Sequence, residues 1–168
     1  MGQLLSTLDA GFAALHERSS ALVKVVPPKF LYRQPHRAET QAAAAAAAGA
    51  SPVYSCGEHL LRSAATVEQT FGGLTANLWD DPFEWTLPEM LSTPALVAEY
   101  LAEVEATRRR GLALVETDDD LLKEIAVPSG EMRALFGLLN ETLVRAAHHQ
   151  GRAFATFQLF STERLPTL

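Results

Sequence analysis

Apolar residues recur at helical intervals in four separate stretches of this chain. Leu5, Leu8, Phe12, Leu15 and Leu22 follow spacings of three, four and seven, which predicts an amphipathic helix over about 3–25. Pro27 and Pro28 end it. Ser55-Cys56-Gly57-Glu58 reads as a capping box, in which the serine hydroxyl and the glutamate satisfy each other's backbone amides. Leu60, Ala64, Val67, Phe71 and Leu74 then mark a second helix over about 55–74. Thr93-Pro94 is a start signal, with threonine at the cap and proline in the first turn. Val97, Tyr100, Leu101, Val104, Leu112 and Val115 line a third helix over about 94–116. Met132, Leu135, Leu139, Leu143, Ala146, Gln150, Ala153 and Phe157 share a face of a fourth, about 131–158.

Four helices, each with one apolar stripe, bury those stripes most simply in an all-α four-helix bundle. A single domain over 1–168 is expected, with long loops at about 27–54 and 75–93. No strand-length alternation of period two and no internal repeat is evident. The run Ala42 to Ala48 has high helix propensity but little bulk to bury, and Gly49, Ser51 and Pro52 interrupt it. A loop with a helical turn is expected there. The second loop is aromatic, with Trp79, Phe83 and Trp85 around Asp80-Asp81-Pro82. It reads either as a lid over its own helices or as an interface.

Charge and cysteine count narrow the class. The formal net charge is -6, which argues against a general affinity for nucleic acid. The one basic run, Arg108-Arg109-Arg110, sits among acidic residues and is expected to form a solvated helix face. The lone Cys56 leaves no intrachain disulfide, and the first 26 residues lack the pattern of a signal peptide. No stretch suits a membrane span, so a cytoplasmic protein is expected.

The histidines carry the candidate chemistry. His149 falls roughly 80° from the centre of the fourth helix's stripe, on a shoulder shared with Arg145 and close to Thr142 and Arg152. His148 points away from the stripe and is expected in water. His59 lies roughly 100° from the Leu60 stripe, flanked by Cys56 and Ser63. If the two helices are neighbours, His59 and His149 converge, and two imidazoles are half of a transition-metal site. The plainer reading is two half-exposed, hydrogen-bonded histidines. Cys56 one turn before His59 is either a soft ligand or a small buried apolar residue.

Ser55-Cys56-Gly57-Glu58-His59-Leu60 and His148-His149-Gln150-Gly151-Arg152, in this order behind a leading helix with a proline-rich exit, resemble the DinB/YfiT-like superfamily over about 3–160. The resemblance implies an up-down-down-up four-helix bundle, often a homodimer. It also implies a divalent metal, nickel or zinc, held by three histidines. Some relatives are transferases or isomerases that use a low-molecular-weight thiol, mycothiol or bacillithiol. His59 and His149 match two of the three histidine positions. The third, four residues before His149, is Arg145 here. A guanidinium has no lone pair to give and repels a dication. Gln150 and Arg152 stand where the family often has arginine and glutamine, a swap that alters the support of the ligands.

Three outcomes follow. Cys56, a water or Glu58 completes a remodelled metal site. Alternatively, Arg145 receives an anionic small molecule beside His59 and His149. Or the site is vestigial. The functional expectation is a small-molecule enzyme, a metal-dependent hydrolase or thiol-dependent transferase. The competing expectation is a non-catalytic dimerising, scaffold or ligand-binding module.

Overall fold

The computed structural model describes residues 2–35, 53–82 and 86–166. The chain is predominantly helical. Its described elements are α1 (Gln3–Val25), α2 (Pro28–Leu31), α3 (Cys56–Ala76), α4 (Pro94–Leu112), a 3-10 turn (Asp119–Leu122), β1 (Glu124–Ala126), β2 (Met132–Ala134) and α5 (Leu135–Gln158). Among them, no helix is long and apolar enough to cross a membrane.

The helix starts follow local chemistry. At α3 the Ser55 hydroxyl accepts from the Glu58 amide at 3.2 Å, and Glu58 accepts from the Ser55 amide at 2.7 Å, completing the capping box. Thr93 accepts from the Leu96 amide at 3.3 Å, with Pro94 in the first turn of α4. The start of α1 has no side-chain cap of its own. Asp118 supplies one from far along the chain, accepting from the amides of Leu4 (3.2 Å) and Leu5 (2.9 Å).

Buried apolar side chains from α1, α3, α4 and α5 join in one cluster. Phe12 and Phe71 meet edge to face near its middle, with ring centroids 5.2 Å apart. Polar contacts tie the helices in pairs. Gln150 on α5 donates to the Leu15 carbonyl (2.6 Å) and to the Ser19 hydroxyl (2.7 Å) of α1. Ser63 on α3 donates to the Ala146 carbonyl of α5 at 2.8 Å, and the hydroxyls of Thr70 and Thr142 meet at 2.8 Å. Small residues at these crossings let α3 and α5 approach closely.

Three sequence expectations are corrected here. The basic run is not a uniformly solvated face: Arg108 is only 3% exposed. It forks onto Glu105 through Nη2 (2.6 Å) and Nε (2.9 Å) and also donates to Asp9 of α1. Burial alone would raise the Glu105 carboxyl, but the hydrogen bonds from Arg108 and Arg109 hold it below the usual range. Helical spacing could not reveal a cation needed to match carboxylates on two helices.

The second correction concerns residues before α5. A short antiparallel hairpin pairs Glu124 with Ala134, Ile125 with Arg133 and Ala126 with Met132. The final helix therefore starts at Leu135, and Met132 is a strand residue left 56% exposed. Strands of three residues are too short to show alternation. Their turn uses Gly130 at φ 82, a backbone region that favours glycine. Third, α4 ends at Leu112 rather than near 116, although Val115 beyond it remains buried. Within the first expected loop, Pro28–Leu31 forms a helical turn. The Ala42–Ala48 run lies outside the described residues.

Candidate functional site

His59 belongs to the buried side of α3, with Cys56, Leu60, Ser63 and Ala64 around it. It is 2% exposed. The close crossing at Ser63 and Ala146 brings it beside His149, one turn further along α5. Their ring centroids are 5.8 Å apart, with the planes inclined at 36°. The two segments thus converge as their helical positions suggested, and His59 is buried rather than a half-exposed shoulder residue. His148 is exposed, as expected, although its ring meets that of His149 edge to face, with centroids 5.7 Å apart.

The Nδ1 atoms of both His59 and His149 are buried and make no hydrogen bond. Unsatisfied buried nitrogens are costly, so a pair at one spot marks a place where an incoming group gains a partner. Tyr54 packs edge-on against His59, with centroids 5.5 Å apart. The Arg62 guanidinium lies over the Tyr54 ring at 4.0 Å.

Beside His149 a cavity of about 80 Å³ is lined by Arg62, Thr66, Gln69, Asp81 and Arg145. Arg145 is 60% exposed and lies 3.9 Å from the carboxylate of Glu141. Arg62 was not singled out from the sequence. Its signal was there: it follows His59 by three residues, one turn on along α3. Asp81 comes from the loop after α3 and had no such periodic signal.

Burial and the surrounding cations set the protonation of the pair. Burial, then the charges of Arg152 and His149, push His59 down to about 4. Burial, then His148, Arg62, Arg152 and Arg145, lowers His149. Both rings are therefore neutral at neutral pH, each with a lone pair to offer.

A stability consequence follows. The unfolded chain takes up the His59 proton near 6.5 and the folded chain near 4. Stability contributed by keeping His59 neutral is complete above 6.5 and is lost as pH falls from 6.5 to 4. The loss expected over that window is on the order of 3 kcal/mol. Urea unfolding at pH 7 and pH 4.5 measures it. His59→Phe, similar in shape and without the titration, should show a smaller pH dependence; an equal dependence would refute the assignment.

The three-histidine metal centre that the sequence resemblance implies does not fit the described residues. Two imidazoles are present, and Arg145 holds the third position. Cys56 is fully buried, and burial pushes its thiol up to about 12, so it stays protonated. Glu58 is committed to Ser55 and to Gln34 Nε2, which donates to it at 2.8 Å. Among the described residues, no three His, Cys, Asp or Glu side chains are grouped to hold a metal ion. Arg62, Arg145 and Arg152 also give the spot a positive field, which opposes a dication and welcomes an anion.

Trp79 of the aromatic loop lies over its own helix. Its ring occupies the space where a side chain at Gly73 would project, and its indole donates to Asn77 at 3.0 Å. Phe83 and Trp85 lie outside the described residues. Compared with known proteins, the chain matches no family model, no curated protein and no solved structure.

Proposed function

We infer that this chain is a DinB/YfiT-like four-helix bundle that binds a small organic anion at the wall between α3 and α5, where relatives would hold a metal. The observation that carries this reading is the cavity lined by Arg62, Arg145 and His149, where the His149 Nδ1, like that of neighbouring His59, makes no hydrogen bond.

The helix contacts support an up-down-down-up course. Along α1, Gly11 approaches Leu143, and Leu15 and Ser19 meet Gln150, so α1 and α5 run alike. Ser63 meets Ala146 and Thr70 meets Thr142, so α3 runs against α5. Asp9, early in α1, meets Arg108, late in α4, a contact that suits an α4 running against α1.

In this reading Arg145 and Arg62 pair with the ligand's anionic group. The neutral imidazole of His149 is a hydrogen-bond partner, and it is also a base of the kind that a hydrolase or thiol-dependent transferase needs. Trp79 folded onto Gly73 favours the ligand-binding version over one in which that residue anchors a dimer.

Acetate and inorganic phosphate, titrated at low salt and followed by the His149 ring resonances, test the reading. Arg145→Ala should weaken binding roughly 10- to 100-fold, the worth of a charge-assisted hydrogen bond. Equilibrium dialysis against nickel and zinc provides the counter-test. One metal per chain, lost in His149→Ala, would overturn anion binding in favour of a metal centre.

A further inference from the structure

The cavity beside His149 has a neighbour. A second cavity of about 170 Å³ lies along the same wall, between α3, the loop after it, the hairpin turn and α5. Gln69 and Arg145 line both cavities, so the two share a boundary. Gln69 also ties the loop to α3, donating to the Trp79 carbonyl at 2.9 Å.

The two cavities differ in chemistry. The first is mostly polar, and its described lining sets Arg62, Arg145 and His149 beside the carboxylate of Asp81. The second has an apolar side made by Trp79, Val127, Pro128 and Leu138. At its floor Thr70 and Thr142 bond to each other, and Thr142 also donates to the Leu138 carbonyl, so their hydroxyls are satisfied without a ligand. Glu141 is paired with Arg133 at its edge. Among the described residues, Arg62, Arg133 and Arg145 face Asp81 and Glu141 around the two neighbouring cavities, in a chain whose net charge is -6. An anionic head is therefore favoured at the first cavity and an apolar tail at the second. Together the volumes approach the lower end of small-molecule sites, roughly 300 Å³, which suits a compact ligand.

We propose that the ligand is a small carboxylic acid with a short apolar tail, its carboxylate at Arg62, Arg145 and His149 and its tail along Trp79, Val127 and Leu138. This rests on the anion-binding reading above and adds the class of ligand. The hairpin thereby gains a role, since its Val127-Pro128 turn forms one side of the tail site. Trp79 likewise acts as a platform for the tail.

The experiment is a titration of the full chain with acetate, butyrate and hexanoate at matched ionic strength, followed by NMR. Affinity should rise about fourfold for each added methylene that the groove buries. Arg145→Ala should weaken all three acids alike, preserving the ratio of hexanoate to acetate. Trp79→Ala should cut that ratio to less than half its wild-type value. Val127→Ser, a milder change on the opposite side, should lower it in the same direction and covers the case in which Trp79→Ala does not fold. Equal affinities for acetate and hexanoate in the wild type would overturn the tail site while leaving the anion reading intact. Failure of every acid, and of phosphate, to bind would overturn both.

Discussion

Arg108→Ala is expected to cost about 3–5 kcal/mol of folding free energy, a large share of the roughly 5–15 kcal/mol that holds a typical domain together. Arg108 is almost fully buried and closes a fork on Glu105, itself only 8% exposed, while also reaching Asp9. Removing the guanidinium leaves the Glu105 carboxylate with Arg109, which is 71% exposed and a poor substitute. Most of the cost is the desolvated charge left behind rather than the value of the pair. The double variant Arg108→Met, Glu105→Leu should therefore be markedly less damaged than Arg108→Ala alone. Urea midpoints of the three proteins decide it. A loss under about 1 kcal/mol in the single variant would mean that water reaches the pair freely.

Phe71→Ala should have an effect of similar size for a different reason. The ring is fully buried, meets Phe12 edge to face, and approaches Gly111 of α4 so closely that a side chain there would collide with it. Truncation removes apolar burial and opens a cavity between α1, α3 and α4 that rigid helices fill poorly. The expected cost is about 3–5 kcal/mol. Phe71→Leu, which keeps most of the volume, should cost less. Thermal unfolding ranks the two, and a Phe71→Ala protein within a degree of wild type would show that the helices close over the gap.

The two variants separate what the sequence could reveal from what it could not. Phe71, Leu60 and Val67 announce themselves by their spacing, because a long helix repeats its buried face often enough to be recognised. The capping box at Ser55 and the Thr93-Pro94 start are equally local and were readable. The Arg108 network was not, since its partner Asp9 lies 99 positions away and a buried cation resembles a surface one in sequence. The hairpin before α5 was missed because three residues per strand carry no period.

The candidate site divides in the same way. Periodicity placed His59 and His149 on flanks of separate helices, and their convergence depends on small residues, Ser63 and Ala146, that look unremarkable in isolation. The depth of His59 follows from that approach and could not be read from its angle alone. Arg145 was visible as a departure from a histidine pattern. Arg62 was within reach of the same helical arithmetic. Asp81 and Trp79 enter from a loop whose path no pattern dictates.

The carboxylate of Asp118 bears on how the molecule opens. Hydrogen bonds from the first turn of α1, chiefly from the Leu5 amide, lower the pKa of its carboxyl, so it keeps its charge further into acid than a free aspartate. Gly2 leaves room for it, as a side chain there would strike the carboxyl. The leading turn of α1 is thus clasped to a segment 114 positions later. Its amide protons can trade with deuterium only when that distant segment lets go, so the beginning of the chain and the stretch ahead of the hairpin loosen as one unit.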